Sequence, residues 1–281
     1  MKKNHNLFWV LTLTITIAVL TGCQKVINVD LNETAPHIVI EGLLTDSYYS
    51  FRISKSGSYF NQPVLSAVSG ALVILTDDKA TIDTLKENQY LPGSYYFTNM
   101  RAVPGTTYTL KVKSENQEYS GSSTMHTHVE IDSLKLEKSQ LRGFQFGGGG
   151  KENTSVDVHC YFKDPVEKNF YRIKTYSSRD TARSGNYRLY DDQYTNGEET
   201  NVRVGRATNG DTIRIELLSL DKQTYEYYRT LSDLLRTNPI FGSTPANPNT
   251  NLSNGALGYF GAAAVSYKTI IITDSLIKTV K

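Results

Sequence analysis

The sequence predicts a mainly all-β protein. Three observations carry that expectation: 19 Tyr and 10 Phe beside many Thr and Val, short runs that alternate polar and apolar residues, and compact turn signals between them. Aromatic and β-branched side chains suit a pleated, half-buried surface. The alternating runs are His37–Glu41, Ser50–Ser54, Ala71–Thr76, Ser94–Thr98, Tyr108–Lys113, Tyr171–Tyr176 and Thr212–Leu217. Turn pieces such as Leu91-Pro92-Gly93, Val103-Pro104-Gly105 and Thr208-Asn209-Gly210-Asp211 separate them. Strands that follow one another without helices between them read as sandwiches or barrels.

The N-terminus is of a different kind. Lys2 and Lys3 precede an uncharged apolar run, Leu7 to Leu20, which ends in Leu20-Thr21-Gly22-Cys23. A basic start, a short apolar stretch and small residues before a cleavage point make an export signal. The run is too short to span the roughly 30 Å hydrocarbon core, which needs about 20 residues. Leu-Thr-Gly-Cys resembles the bacterial lipobox, which implies cleavage after Gly22 and acylation of Cys23. Residues 1–22 are therefore expected to be a signal peptide and residues 23–36 a lipidated tether. Residues 37–127 follow as an N-terminal β-sandwich, and residues 128–281 as a larger β-sandwich or barrel-like domain.

One segment departs from the β pattern. Tyr225, Tyr228, Leu231, Leu234 and Leu235 recur at three- and four-residue steps, the period of an amphipathic helix over 221–237. Asp221 suits its N-cap and Asn238-Pro239 its stop. The helix is expected to cover one side of the second domain. Gly147–Gly150 reads as a flexible loop, and Phe241–Gly255 as a long ordered one.

Composition excludes some functions. Removing residues 1–22, whose only charges are Lys2 and Lys3, takes the formal charge from +2 to zero. A neutral chain has no global field to draw in nucleic acid. With Cys23 acylated, Cys160 stands alone, on the face shared by Val156, Val158 and Phe162, and reads as a buried inert thiol.

No catalytic motif stands out. A Gly-x-Ser-x-Gly elbow and a His-Glu-x-x-His pair are both missing. The glycine run has Gln145 where a phosphate loop needs Gly and Glu152 where it needs Ser or Thr. Asp77-Asp78 and Asp191-Asp192 are adjacent in sequence, so they read as turn acids rather than a glycosidase pair flanking a bond. His126, His128, Glu130 and Asp132 alternate, so an extended strand would put them on one face as ligands for a transition metal. The plainer reading is a solvated face opposite Thr127, Val129 and Ile131. Asp followed by Ser or Thr and then an aliphatic residue occurs five times, where about one is expected by chance. The hydroxyls are Thr84, Ser133, Thr181, Thr212 and Ser275. The triplet resembles the O-glycosylation signal of exported Bacteroidota proteins; its plainer reading is turn chemistry before a strand. Of the many aromatic doublets most suit core packing, and Tyr48, Tyr59 and Phe241 are the loop aromatics that stand as ligand contacts.

The chain resembles the DUF4249 family of Bacteroidota lipoproteins almost end to end. The resemblance rests on the lipobox with Val26–Leu31, the strand His37–Gly42, Val68–Asp77, Gly93-Ser94-Tyr95 and Thr107–Val112. It continues through Asp164-Pro165 with Asn169-Phe170-Tyr171, then Leu189–Asp192, Tyr225–Tyr228 and Gly255–Phe260. The first half also looks like an immunoglobulin-like sandwich. The resemblance implies an envelope lipoprotein and, with it, an accessory or substrate-capture subunit of a TonB-dependent outer-membrane receptor. With no catalytic motif in the chain, the reading is a non-enzymatic outer-membrane protein without a cofactor, with glycan, peptide or metal-chelate cargo. Acidic residues that usually follow the Cys for surface display are missing before Asp30, which leaves surface-exposed and periplasm-facing anchoring both open. The alternatives are a hydrolase of surface glycan or peptide, and an adhesin or fibre subunit.

Overall fold

The computed structural model describes residues 36–57, 66–139, 155–179, 186–236 and 246–280. The signal segment, Cys23, Tyr59, Thr181, Phe241 and the glycine run lie outside the described residues. The chain is mainly β, as expected. Its strands are β1 (Ile38–Thr45), β2 (Tyr49–Lys55), β3 (Ser66–Ala67), β4 (Leu72–Asp77), β5 (Ile82–Glu87), β6 (Ser94–Tyr96), β7 (Thr107–Ser114) and β8 (Gln117–Thr124). Then come β9 (Ile131–Lys138), β10 (Val156–Lys163), β11 (Phe170–Ser177), β12 (Asn186–Asp191), β13 (Glu199–Ala207), β14 (Thr212–Leu220) and β15 (Leu257–Ile271). Helix α1 (Lys222–Arg236) precedes β15, and a second, short helix, α2 (Asp274–Thr279), follows it. Among the described residues no helix is long and apolar enough to cross a membrane.

Local chemistry explains the turns. Glu115 and Asn116 both take positive φ, 51° and 63°, in the two-residue turn that joins β7 to β8, the mirror-image geometry that matches strand twist. Between β1 and β2, Thr45 Oγ1 accepts from Tyr48 N at 2.7 Å and from Ser47 N at 3.2 Å. Asp77 closes the next hairpin by accepting from Thr81 N at 2.7 Å and Lys79 N at 3.0 Å.

The strands form a 12-stranded sheet in the order β12-β11-β14-β15-β1-β2-β6-β5-β4-β7-β8, with β3 beside β2, and a three-stranded sheet β13-β10-β9. The first part of β15 runs parallel to β1, from Val39 opposite Leu257 to Thr45 opposite Ala263. Its remainder, from Ala264 to Ile271, is antiparallel to β14. The sequence-based boundary at 127/128 falls between β8 and β9, but β15 serves both sides of it, and residues 36–281 form one compact unit. Phe260, Ala262 and Ala264 fill the first core with Ile40, Leu75 and Leu110. The second core lies between the small sheet and β11–β14–β15, around Phe162, Tyr171 and Ile215.

Cys160 faces that second core with Val156, Val158 and Phe162, and is fully buried. Part of the expected loop, residues 249–255, clamps the outer edge of β8. Ser253 N donates to Ser120 O and Ser120 N to Ser253 Oγ, each at 2.8 Å, while Asn251 exchanges hydrogen bonds with the main chain of Phe260. Covering an edge strand in this way removes a template for unwanted pairing.

Helix α1 starts where expected. Asp221 Oδ1 accepts from Thr224 N at 2.7 Å, the N-cap bond that satisfies an otherwise orphaned donor. Its buried residues are Thr224, Tyr225, Tyr227 and Tyr228, whereas Leu235 is 73% exposed. The apolar stripe therefore runs past the sheet it covers. Close approach to β15 depends on Gly261, because a Cβ there would lie 2.7 Å from Thr224 Cγ2.

Candidate functional site: a tyrosine and arginine face beside the helix

Strand register assembles the site. On one face of the sheet β12-β11-β14-β15, side chains alternate outward. Lys174 lies opposite Tyr187 and Glu216, Tyr176 opposite Arg214, Arg172 opposite Leu189 and Leu218, and Glu216 opposite Tyr267. Helix α1 covers one end of this face and buries Leu218, Leu220, Ala263 and Val265 against its tyrosines. The other end, with Lys174, Tyr176, Arg214 and Tyr267, is open: Arg214 is exposed, Tyr267 is 37% exposed, and the other two are half-buried.

Under the helix the aromatic rings interlock. Tyr227 stacks on Tyr259 with centroids 4.4 Å apart, and the Tyr228 and Tyr259 hydroxyls are 2.5 Å apart. The guanidinium of Arg172 lies over the Tyr228 ring at 4.3 Å. Arg172 is only 4% exposed, and its Nε has no hydrogen-bond partner among the described residues. A buried cation held by a ring face in place of a carboxylate is costly unless further charge compensates it.

The carboxylate that faces this cluster is Glu216, 2% exposed, and tyrosines consume it. Tyr48 OH donates to Oε1 at 2.5 Å and Tyr176 OH to Oε2 at 3.1 Å. Burial pushes the Tyr48 hydroxyl up, and hydrogen bonding to the Glu216 carboxylate pushes it further. Burial and the same carboxylate push Tyr176 up to about 12. Both are thus neutral donors at neutral pH. Among the described residues Arg172, Lys174 and Arg214 form no ion pair, whereas Arg179, Arg203, Arg206 and Arg229 each do. Burial, with Arg172 and Arg214 adding to it, holds the Lys174 ammonium below its ordinary value against the pull of Glu216. Arg214 lies over the rings of Tyr267 at 4.5 Å and Tyr176 at 5.7 Å. Among the described residues the face is an aromatic platform with three cations against one carboxylate.

Other expected residues scatter. Tyr48 rims this face, and its hydroxyl is committed to Glu216; Tyr59 and Phe241 lie outside the described residues. The four metal candidates are not gathered. His128 Nε2 is 2.6 Å from Asp46 Oδ2, Lys268 binds the main-chain oxygen of Asp132, and no described group of three such side chains is placed to hold a metal. Val129 and Ile131 are buried between them. Of the triplet hydroxyls, Thr84 and Ser275 are exposed, Ser133 and Thr212 are half-buried, and Thr181 lies outside the described residues. Two of the triplet aspartates hold turns: Asp83 accepts from the main chain of Thr98, Asn99 and Met100, and Asp211 from Thr208 N.

A second polar cluster joins motifs that are far apart in sequence. Asp164 accepts from Tyr171 OH, and Asp192 from Lys168 Nζ and Asn169 N, with both carboxylates buried. Burial raises the Asp164 carboxyl despite its donors, and neighbouring Asp192 adds to the rise. The cluster ties the loop after β10 to the loop after β12, with every carboxylate satisfied. Asp191 caps its own turn at Gln193 N. Asp164-Pro165, Asn169-Phe170-Tyr171 and Tyr190-Asp191-Asp192 were visible in sequence as separate pieces; only the fold shows them to be one knot.

A family model described as "Domain of unknown function (DUF4249)" matches residues 24–269. No curated protein matches the chain. Among solved structures, the chicken interferon gamma receptor alpha chain aligns over 66% of this chain and 90% of its own, with 9% identity and a TM-score of 0.18, too low to imply a shared fold.

Proposed function

This chain belongs to the DUF4249 family, and from that premise we propose that it is a non-enzymatic, lipid-anchored outer-membrane protein that serves as an accessory or substrate-capture subunit of a TonB-dependent transporter. The observation that carries the reading is the open face beside α1. It offers exposed tyrosine and arginine, the residue types that dominate protein recognition surfaces, on rigid strands. The apolar run ending at Cys23 supports the anchor. A tether over residues 23–36 reaches at most on the order of 45 Å, so it holds the β body near the membrane at high effective concentration for its partner. Modest interfaces then suffice. The same export reading carries O-linked glycan at Thr84 and Ser275, the exposed hydroxyls of the triplets, which intact mass measurement reads.

The test has two arms. Labelled palmitate should enter the wild-type chain and not Cys23→Ser, and affinity purification from native membranes should recover a transporter barrel. A wild-type chain that takes up no label and is released as a soluble product refutes the anchor. Repeated isolation without a barrel refutes the accessory role, and turnover of a glycan or peptide substrate would move the chain to the hydrolase class.

A further inference from the structure

We infer that the open end of the sheet face binds an extended acidic segment of a partner polypeptide, with carboxylates meeting Lys174 and Arg214 in front of the buried Arg172. The inference rests on the reading of this face as a binding surface and names the chemistry of its partner.

Charge comes first. Arg172, Lys174 and Arg214 face one carboxylate, Glu216, whose two oxygens already accept from Tyr48 and Tyr176. Several arginines of the described residues find acids within the fold: Asp157 serves Arg203 and Arg206, and Asp211 serves Arg179. Among the described residues the three on this face form no ion pair, and Arg172 Nε is buried without a hydrogen-bond partner. Two incoming carboxylates would balance the net excess.

Geometry selects a polypeptide. Alternate side chains of an extended peptide lie about 7 Å apart. Lys174 on β11 and Arg214 on β14 are diagonal neighbours across the antiparallel pair, a spacing of about 7–8 Å that matches it. A sugar ring would need a bare aromatic face to stack on. Here Arg214 already lies over Tyr176 and Tyr267, and Lys174 over Tyr176 at 5.2 Å. A carboxylate reaches those cations without displacing them from the rings. Charge-assisted bonds to Arg are short and geometrically selective, and the surrounding low-dielectric rings strengthen them.

The test uses full-length protein in detergent micelles and fluorescence anisotropy. The probes are a labelled octapeptide alternating Ser and Glu, its Ser and Gln counterpart, and a heparin octasaccharide. The acidic peptide should bind at least ~10-fold tighter than the amide peptide, with an affinity that falls as salt rises. Lys174→Glu with Arg214→Glu should abolish the preference, Arg214→Ala alone should weaken it several-fold, and Lys138→Glu on exposed β9 should leave it intact. Circular dichroism identical to wild type shows that the variants fold. Equal binding of the two peptides, or binding unaffected by the double substitution, overturns the inference. Heparin binding at this face with the peptide silent also overturns it and assigns the face to an acidic glycan. If the double variant still recovers a transporter from membranes while peptide binding fails, the accessory role stands and this surface is not its docking point.

Discussion

Gly258 is the position at which one methyl group should cost this fold most. It sits in β15 directly opposite Ile40 of the parallel neighbour β1, with φ of +92°. A Cβ built there lies 2.1 Å from the main-chain oxygen of Ile40 and 2.8 Å from its carbonyl carbon. Two penalties therefore add in Gly258→Ala. The left-handed backbone costs about 1–2 kcal/mol for an L side chain, partly offset by about 0.4–1 kcal/mol from a less flexible unfolded chain. The clash is with backbone, so β1 or β15 must move by about 1 Å. That breaks ladder hydrogen bonds worth roughly 0.5–1.5 kcal/mol each and lifts Ile40, 1% exposed, out of the first core. The sum is at least ~3 kcal/mol, a large share of a typical stability of about 5–15 kcal/mol. Gly210 is the internal control. Its φ is +85° and no atom lies within 4 Å of an added Cβ, so Gly210→Ala bears the backbone term alone, about 1 kcal/mol. Urea denaturation of both variants in a Cys23→Ser background reads the difference as separate shifts of midpoint at constant slope. If the two variants agree to within about 0.5 kcal/mol, the close approach of β1 and β15 plays no part and the reasoning fails.

Further outcomes follow from the same contacts. Asp221→Ala removes the acceptor of Thr224 N and the partner of Ser123 Oγ, and should cost about 1–2 kcal/mol by urea denaturation, with Asp221→Asn retaining most of it. Tyr48→Phe leaves Glu216 Oε1 buried without its donor, at about 1–3 kcal/mol; in a Glu216→Leu background the loss should be smaller, and equal losses would refute the pairing. Burial pushes the Cys160 thiol up to about 12, so iodoacetamide should label it only after unfolding, as read by mass spectrometry. Burial opposes ionisation of Asp83, but donations from Thr98, Asn99 and Met100 outweigh it and hold the carboxyl below 3.8. A depressed native value means that its stabilisation is complete above pH 3.8 and is lost as pH falls below it. The stability gap between wild type and Asp83→Asn should therefore shrink below pH 3.8 and hold steady above it.

Much of the fold was legible because its strands obey a period of two. Val156, Val158, Cys160 and Phe162 announce their common face, and Asp221 announces the helix that follows it. β15 hid for a physical reason. It is covered on one side by the cores and on the other by α1, so it carries no alternation. Its Gly261 and Ala263 are small because the helix packs close by, while Ala262 and Ala264 face the first core. Its pairing with β1 across most of the chain leaves no local trace. The candidate face was hidden differently. Arg172, Lys174, Arg214 and Glu216 each look like the outward residue of an ordinary half-exposed strand, and only strand order brings them together. Tyr48 was readable as a loop aromatic, but not that it reaches across to Glu216. The histidine series failed as a cluster because residues 125–130 precede β9 rather than belong to it, and His128 turns to Asp46.

The shared strand sets the timetable of the molecule's assembly. A chain synthesised from its N-terminus delivers β1 early and must wait for almost all the remainder before β15 arrives beside it. Until then the first core lacks Phe260, Ala262 and Ala264, and the N-terminal half keeps an unfinished apolar surface for as long as synthesis lasts. Completion of the last strand thus acts as a full-length check: a nascent product that stops short of residue 257 cannot finish even its beginning, and it is left for holding factors or proteases to collect.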